Sequence, residues 1–216
     1  AADSSSINIP GPGKLTTVRK LDDRLITGKN SGIQHRWDGY NLFDLSTKLA
    51  PTSSRSLARV EKTDFGLNRL GVFIYTGAPP ELISNAVEKQ IYNDLGSAII
   101  GTTFDNAECV VHNYEYILAV GTITDDLTNE TINNAILVYD YQTNEWWNNQ
   151  FADRPRAWLS YNDATGSPTL AFAAGSQCFT YGGTATSDNT STIECVMEGV
   201  LTNNTLLDKK WNWFRA

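Results

Sequence analysis

Apolar and polar residues alternate along most of this chain with the period of two expected of a half-buried β-strand, and the alternating runs come in pairs. "LTTVRKLDDRLITG", residues 15–28, places two runs around Asp22 and Asp23. "ECVVHNYEYILAVG", 108–121, does the same around Asn113 and Tyr114, and "TLAFAAGSQCFTYGG", 169–183, around Gly175 and Ser176. Each reads as a β-hairpin whose second strand ends near a glycine. A fourth segment, "LGVFIYTG", closes on Gly77 without so clear a first strand.

The closing glycines, Gly28, Gly77, Gly121 and Gly182, lie 49, 44 and 61 residues apart. Units of roughly 40 to 50 residues built from short strands are the mark of a β-propeller, in which each blade is a four-stranded sheet. The longer third interval then needs an insertion. "NAILVYDYQTNEWW", 134–147, supplies the outer half of the third unit, a β-branched strand and a polar turn that runs into Trp146 and Trp147. The predicted fold is therefore all-β, a propeller-like array of about four visible units of short antiparallel strands.

One segment breaks the β pattern. In "PPELISNAVEKQIYNDLG", Asn85 caps and Glu88 stands at the third position, while Val87, Ile91 and Leu95 share one face. This predicts a short amphipathic helix inserted between blades, residues 86–95. Residues 1–14, held irregular by Pro10, Gly11, Pro12 and Gly13, read as an extended lead or linker, and 15–216 as the propeller-type domain. The lead and the aromatic-rich end "KKWNWFRA" suggest a piece of a longer chain or a processed product. The loop 184–191, rich in Thr, Ser, Asn and Asp, reads as a mobile surface connection.

Composition narrows the function classes. The 216 residues are 41% hydrophobic, 11% aromatic and only 19% charged, which excludes disorder and favours strands. A net charge of −7 argues against sequence-specific nucleic-acid binding, since such a chain is repelled overall by a phosphate backbone. No run of apolar residues is long enough for a membrane helix.

The search for chemistry returns little. No GxSxG, HExxH, GxxxxGK[ST] or GxGxxG occurs, and no enzyme activity, cofactor or metal is expected. His35 and His112 read as structural. Asp38, Glu115, Asp140 and Glu145 are the carboxylates a glycosidase would draw on, but sequence spacing in an all-β fold cannot pair them. "TDDLTNET", 124–131, gathers acids that could hold calcium but lacks EF-hand spacing, so a solvated loop is expected. Cys109, Cys178 and Cys195 read as small buried apolar residues, with one disulfide left open. Trp37, Trp146 and Trp147 are the candidate packing or binding aromatics. One indole of the Trp146–Trp147 pair should pack between blades and the other face the opposite way.

Four features in order carry a family likeness: "LITGKNSGIQHRWDG", "RLGVFIYTGAPPELISNAVEKQI", "AECVVHNYEYILAVG" and "ILVYDYQTNEWW". Their order resembles the propeller domain of tail nozzle or hub proteins in short-tailed bacteriophages, the group that includes packaged-DNA-stabilising proteins. The matching stretches are Gly71 to Gly77, Ile83 to Ile91, Cys109 to Gly121 and Val138 to Trp147, within residues 15–150. The sequence departs at Tyr75-Thr76-Gly77-Ala78, where an Asp-Gly turn is more typical of the group.

The resemblance implies a structural virion protein. It would form a homo-oligomeric ring of the tail near the portal, contact other tail or portal proteins, and help retain and eject the genome. DNA would pass close by without sequence-specific binding, along an acidic wall, and no membrane is involved. The competing reading is a kelch-like module that binds a glycan or a protein through the loop 184–191 and Trp37. A sugar-acting enzyme and a β-sandwich are the remaining options.

Overall fold

The computed structural model describes residues 7–87, 106–124 and 131–182, together with the backbone of 187–188, 191–192 and 195–196. The first sheet is a meander of β1 (Leu15–Leu21), β2 (Arg24–Lys29), β3 (Gln34–Trp37) and β4 (Leu42–Ser46). The second runs β5 (Leu57–Val60), β6 (Thr63–Asn68), β7 (Gly71–Tyr75) and β8 (Glu81–Leu82). The third holds β9 (Glu108–His112), β10 (Glu115–Thr124), β11 (Thr131–Asp140) and β12 (Glu145–Gln150). The fourth has β13 (Ala157–Asn162), β14 (Pro168–Ala174) and β15 (Gln177–Tyr181).

Three two-residue strands follow. β16 (Ser187–Asp188) pairs with β17 (Ser191–Thr192), and β18 (Cys195–Val196) adds to the outer edge of β12. Every pairing in these sheets is antiparallel. Among the described residues the sheets do not close into a barrel or ring, and no helix is long and apolar enough to cross a membrane.

The hairpins form where the alternation and turn chemistry place them. Asn113 and Tyr114 both take positive φ, 45° and 69°, the twist a two-residue turn needs to join two right-twisted strands. Asp22 does so at 51° in the β1–β2 turn. The first strand missing from the second unit is β6, "TDFGLN". Only Phe65 and Leu67 are apolar in it, separated by Gly66 and flanked by Asp64 and Asn68, which are buried with polar partners, so the run is too short and polar to stand out. Of the helix expected over 86–95, the structure shows a single short 3₁₀ turn, Ser84–Val87, and residues 88–105 lie outside the described residues.

The sheets pack face on face in chain order. Leu21 and Ile26 of the first sheet meet Tyr75 of the second. Phe65, Leu67 and Val72 on the other face of the second sheet join Tyr116, Leu118, Val120, Ala135, Leu137, Tyr139 and Trp146 of the third. The third sheet's remaining face, Ile117, Ala119, Ile136 and Val138, packs on Leu170, Trp158 and Tyr181 of the fourth.

The first strands of the sheets run in one direction. Arg55, just before β5, meets Glu108 at the start of β9 at 3.0 Å, and Arg154, before β13, donates to the Asn106 carbonyl. At the other end, Arg59 near the end of β5 donates to the Lys20 carbonyl near the end of β1. His112 Nδ1 at the end of β9 lies 3.2 Å from Ser160 Oγ on β13. Starts lie with starts and ends with ends.

The first junction has an ionic pin. Arg59 grips Asp64 with both ends of its guanidinium, Nε at 2.7 Å and Nη2 at 2.9 Å, and Arg19 of β1 reaches the same carboxylate at 3.3 Å. Asp64 is 3% exposed, so its loss strands two guanidiniums. Asp64→Ala should lower stability by on the order of 2–4 kcal/mol, less than for a wholly buried pair because both arginines keep some water. Urea denaturation measures it, and a loss below about 1 kcal/mol would show that the triad does not pin this junction.

Candidate functional site: two rims of opposite charge

With the first strands parallel, every turn belongs to one of two rims. The finish rim collects the turns at which first and third strands end: Asp22–Asp23, Asp38–Asn41, Glu61–Lys62, Thr76–Pro80, Asn113–Tyr114, Tyr141–Asn144 and Asp163–Ser167. Carboxylates outnumber cations on it, with Asp22, Asp23, Asp38, Glu61, Glu115, Asp140, Glu145 and Asp163 set against Arg24 and Lys62 at the turns and Lys20, Arg36 and Arg59 two residues before them. The start rim carries Lys14, Lys29, Lys48, Arg55, Arg69, Arg154 and Arg156, and among the described residues Glu108 and Asp153 stand against them. Among the described residues the charge is thus polarised along the strands. The segment 125–130, with all three acids of the expected calcium loop, lies outside the described residues.

The structure brings three of the four candidate carboxylates together. Glu115 pairs across the strands with Asp140, and Asp140 with Glu145. Cross-strand partners share a face, so the three acids form a row beside His112, which pairs with Glu115 on the other side. The Glu115 carboxyl is pushed up to about 6 by burial and by the charge of Asp140. Burial pulls the His112 imidazole below its ordinary value.

Asp140 is committed to its turn, where Oδ1 accepts the N–H of Gln142 at 2.7 Å and of Thr143 at 3.2 Å. Glu145 is exposed at the rim. The row sets Glu115 beside the charge of Asp140, but no group of side chains suited to a metal ion occurs among the described residues. Asp38 belongs to another sheet. Its Oδ1 accepts the N–H of Asn41 and Tyr40, which holds its carboxyl below the usual range.

Trp146 and Trp147 face opposite ways from β12. Trp146 is buried between the second and third sheets, with Nε1 donating to the Ile83 carbonyl at 3.1 Å and its ring 4.8 Å from Tyr139. Trp147 is partly buried between the third and fourth sheets. Trp37 is partly buried on β3, paired across the strands with Leu25 and Leu42. The expected surface loop 184–191 falls largely outside the described residues.

Two cysteines are described, and both carry free thiols. Burial pushes the Cys109 thiol up to about 12, which leaves it inert. Cys178 departs from the expectation of a buried apolar residue: it is exposed, because it sits on β15 opposite the ring-stacked face of Phe179.

His35, read as structural, is buried, flanked across the strands by buried Thr27 and exposed Asp44, with Nε2 3.2 Å from Asp44 Oδ1. Burial lowers its pKa against the pull of Asp44. Arg55, Arg154 and Arg156 were missed from the sequence. Their signal is positional, "SRS" before β5 and "DRPR" before β13, and it appears only once the first strands are known to be parallel.

No protein-family model matches the chain, and no curated protein matches it. Among solved structures it is similar to a chain in a Saccharomyces cerevisiae complex of a Dbp5 variant bound to Nup159, a Gle1 variant, IP6 and ADP. The TM-score is 0.43 with 8% identity, over 92% of this chain and 56% of that one. It is also similar to the computationally designed Ika8 protein, with a TM-score of 0.35 and 10% identity, over 74% of this chain and 55% of that one.

Glu115 gives a pH test. Its folded pKa of about 6 lies above the ordinary 4.5, so the folded state holds the proton more tightly. Its stabilising contribution is complete below about pH 4.5 and is lost as pH rises through about 6. Glu115→Gln should therefore raise the urea midpoint at pH 7 and leave it unchanged at pH 4. Equal effects at both pH values would contradict the buried pairing with Asp140. Of the two indoles, Trp146→Ala should cost about 3–5 kcal/mol and Trp147→Ala less, since only Trp146 is buried. A larger loss at Trp147 would reverse the assignment.

Proposed function

We propose that this chain is a propeller-type structural module of a tailed-bacteriophage virion, a subunit of the tail or hub ring near the portal that takes part in genome retention and ejection. The carrying observation is the regular fan. Antiparallel meanders stack in chain order with their first strands parallel, the arrangement from which a propeller ring is built. The family likeness supports the virion assignment: the stretches it rests on occupy β7, the segment after β8, the β9–β10 hairpin and the β11–β12 hairpin. The partners are other tail or portal proteins and further copies of this chain, and the place of action is the virion.

The exposed face of the fourth sheet fits an assembling role. Leu159 is 62% exposed and Tyr161 41%, on the side of β13 that faces away from the third sheet. One observation favours the second reading, a kelch-like binding module for a glycan or protein. Tyr40, 95% exposed, and Tyr114, 55% exposed, stand at finish-rim loop tips where a ligand could stack.

Solution mass decides between them. Light scattering on the purified chain and on any longer parent should give a closed multiple of the protomer mass, 23.9 kDa for this chain. A strict monomer in both that captures a glycan on an array would contradict the ring and favour the binding module.

A further inference from the structure

We propose that the start-rim cluster of Arg55, Arg154 and Arg156 around Glu108 is a contact site for the phosphodiester backbone of nucleic acid. The inference rests on the hub reading and deepens it by naming the ligand of the inner edge. Arg55 Nη1 lies 3.0 Å from Glu108 Oε1 while 63% of its side chain stays exposed. Arg154 sends Nη2 to the Asn106 carbonyl, and Arg156 is exposed beside the start of β13. Among the described residues Glu108 pairs with Arg55 and its charge reaches Arg154, whose other charged neighbour is Arg156, and Asp153 is turned toward Gly175, its Oδ2 lying 3.8 Å from where a β-carbon would stand on that glycine.

The excess charge is felt locally. Burial and the neighbouring Arg156 pull Arg154 below the ordinary guanidinium value, against the opposing pull of Glu108. A further anion at this place would relieve that repulsion. The guanidinium is the side chain suited to it, since its planar fork meets two phosphate oxygens at once and gives up water more readily than an ammonium.

Position selects a polyanion over an isolated phosphate. The arginines come from the starts of adjacent first strands, β5 and β13 on either side of β9, through which neighbouring sheets meet; on the hub reading these strands are the inner edge. A strand of nucleic acid along that edge would meet the three in succession. The acidic finish rim and the charge of −7 repel the same polymer elsewhere. The contact is therefore local and salt-sensitive, which holds a genome without fixing it.

The test is fluorescence anisotropy of a labelled duplex of about 20 base pairs with the full chain across a salt series. Three phosphate contacts give a log–log slope of about −2.7, a loss of about 40-fold in affinity from about 50 to about 200 mM salt. Arg55→Gln with Arg156→Gln should cut the slope to about a third. Arg55→Lys with Arg156→Lys should keep most of it, and thermal melts of both variants control for folding.

No binding at low salt, or a slope that the glutamine pair leaves unchanged, overturns the site. So does competition by polyglutamate as strong as that by unlabelled DNA, which would assign the rim to a carboxylate partner such as the finish rim of a second copy. Light scattering on the same samples separates the two readings. DNA binding by a strict monomer keeps this site and sinks the ring, and rings that ignore DNA do the reverse.

Discussion

The third sheet has no wet face at its centre, and the rest of the structure follows from that. Residues 116–120 of β10 and 135–138 of β11 all have zero exposure, so side chains pointing to either side of the sheet are equally dry. An antiparallel sheet usually keeps one face in water and can stand at the edge of a protein. This one needs an apolar surface on both sides. The second sheet supplies Phe65, Leu67 and Val72, and the fourth supplies Leu170 with Trp158 and Tyr181. The same rule passed outward stacks the first sheet on the second and leaves the far face of the fourth exposed.

Hydrophobic burial sets the stack but does not fix its direction, because it is non-directional. Polar contacts between sheets do that. The second and third sheets are joined by Tyr116 Oη donating to the Ser56 carbonyl at 2.8 Å and by Trp146 Nε1 on the Ile83 carbonyl. The third and fourth are joined by His112 with Ser160 and by Asn149 Nδ2 on Tyr181 Oη at 3.3 Å. Each joins near neighbours from a single register, so a sheet cannot be turned end for end without breaking its pins. That fixed direction is what sorts acidic and basic turns into separate rims.

Much of the fold was legible in the sequence, for reasons that differ by element. The β1–β2, β9–β10 and β14–β15 hairpins announce themselves through alternation around short turns. "YILAV" in β10 departs from alternation, and that run of apolar residues is the mark of burial on both faces. β6 was hidden because its buried Asp64 and Asn68 are satisfied by partners distant in sequence, Arg19 for one and the Ala50 carbonyl for the other. Of the candidate site, Glu115, Asp140 and Glu145 could be named but not joined, since their adjacency exists only through strand register. The arginine cluster was illegible for a similar reason. It draws on segments about one hundred residues apart, 55 and 154–156, and on the shared direction of their strands.

Charge then links architecture to role. On the proposed hub reading, a uniformly acidic wall would only repel a genome, whereas a ring with the described start-rim arginines inside and an acidic finish would touch DNA at one level and repel it at the next. That account stands or falls on the fan being radial, with first strands innermost. Cryo-electron microscopy of the assembled particle is the most direct measurement. The account predicts a ring whose central channel is lined by β1, β5, β9 and β13, with Arg55 and Arg156 facing the lumen. A map with first strands on the outer wall, or with sheets stacked flat and no channel, would contradict it.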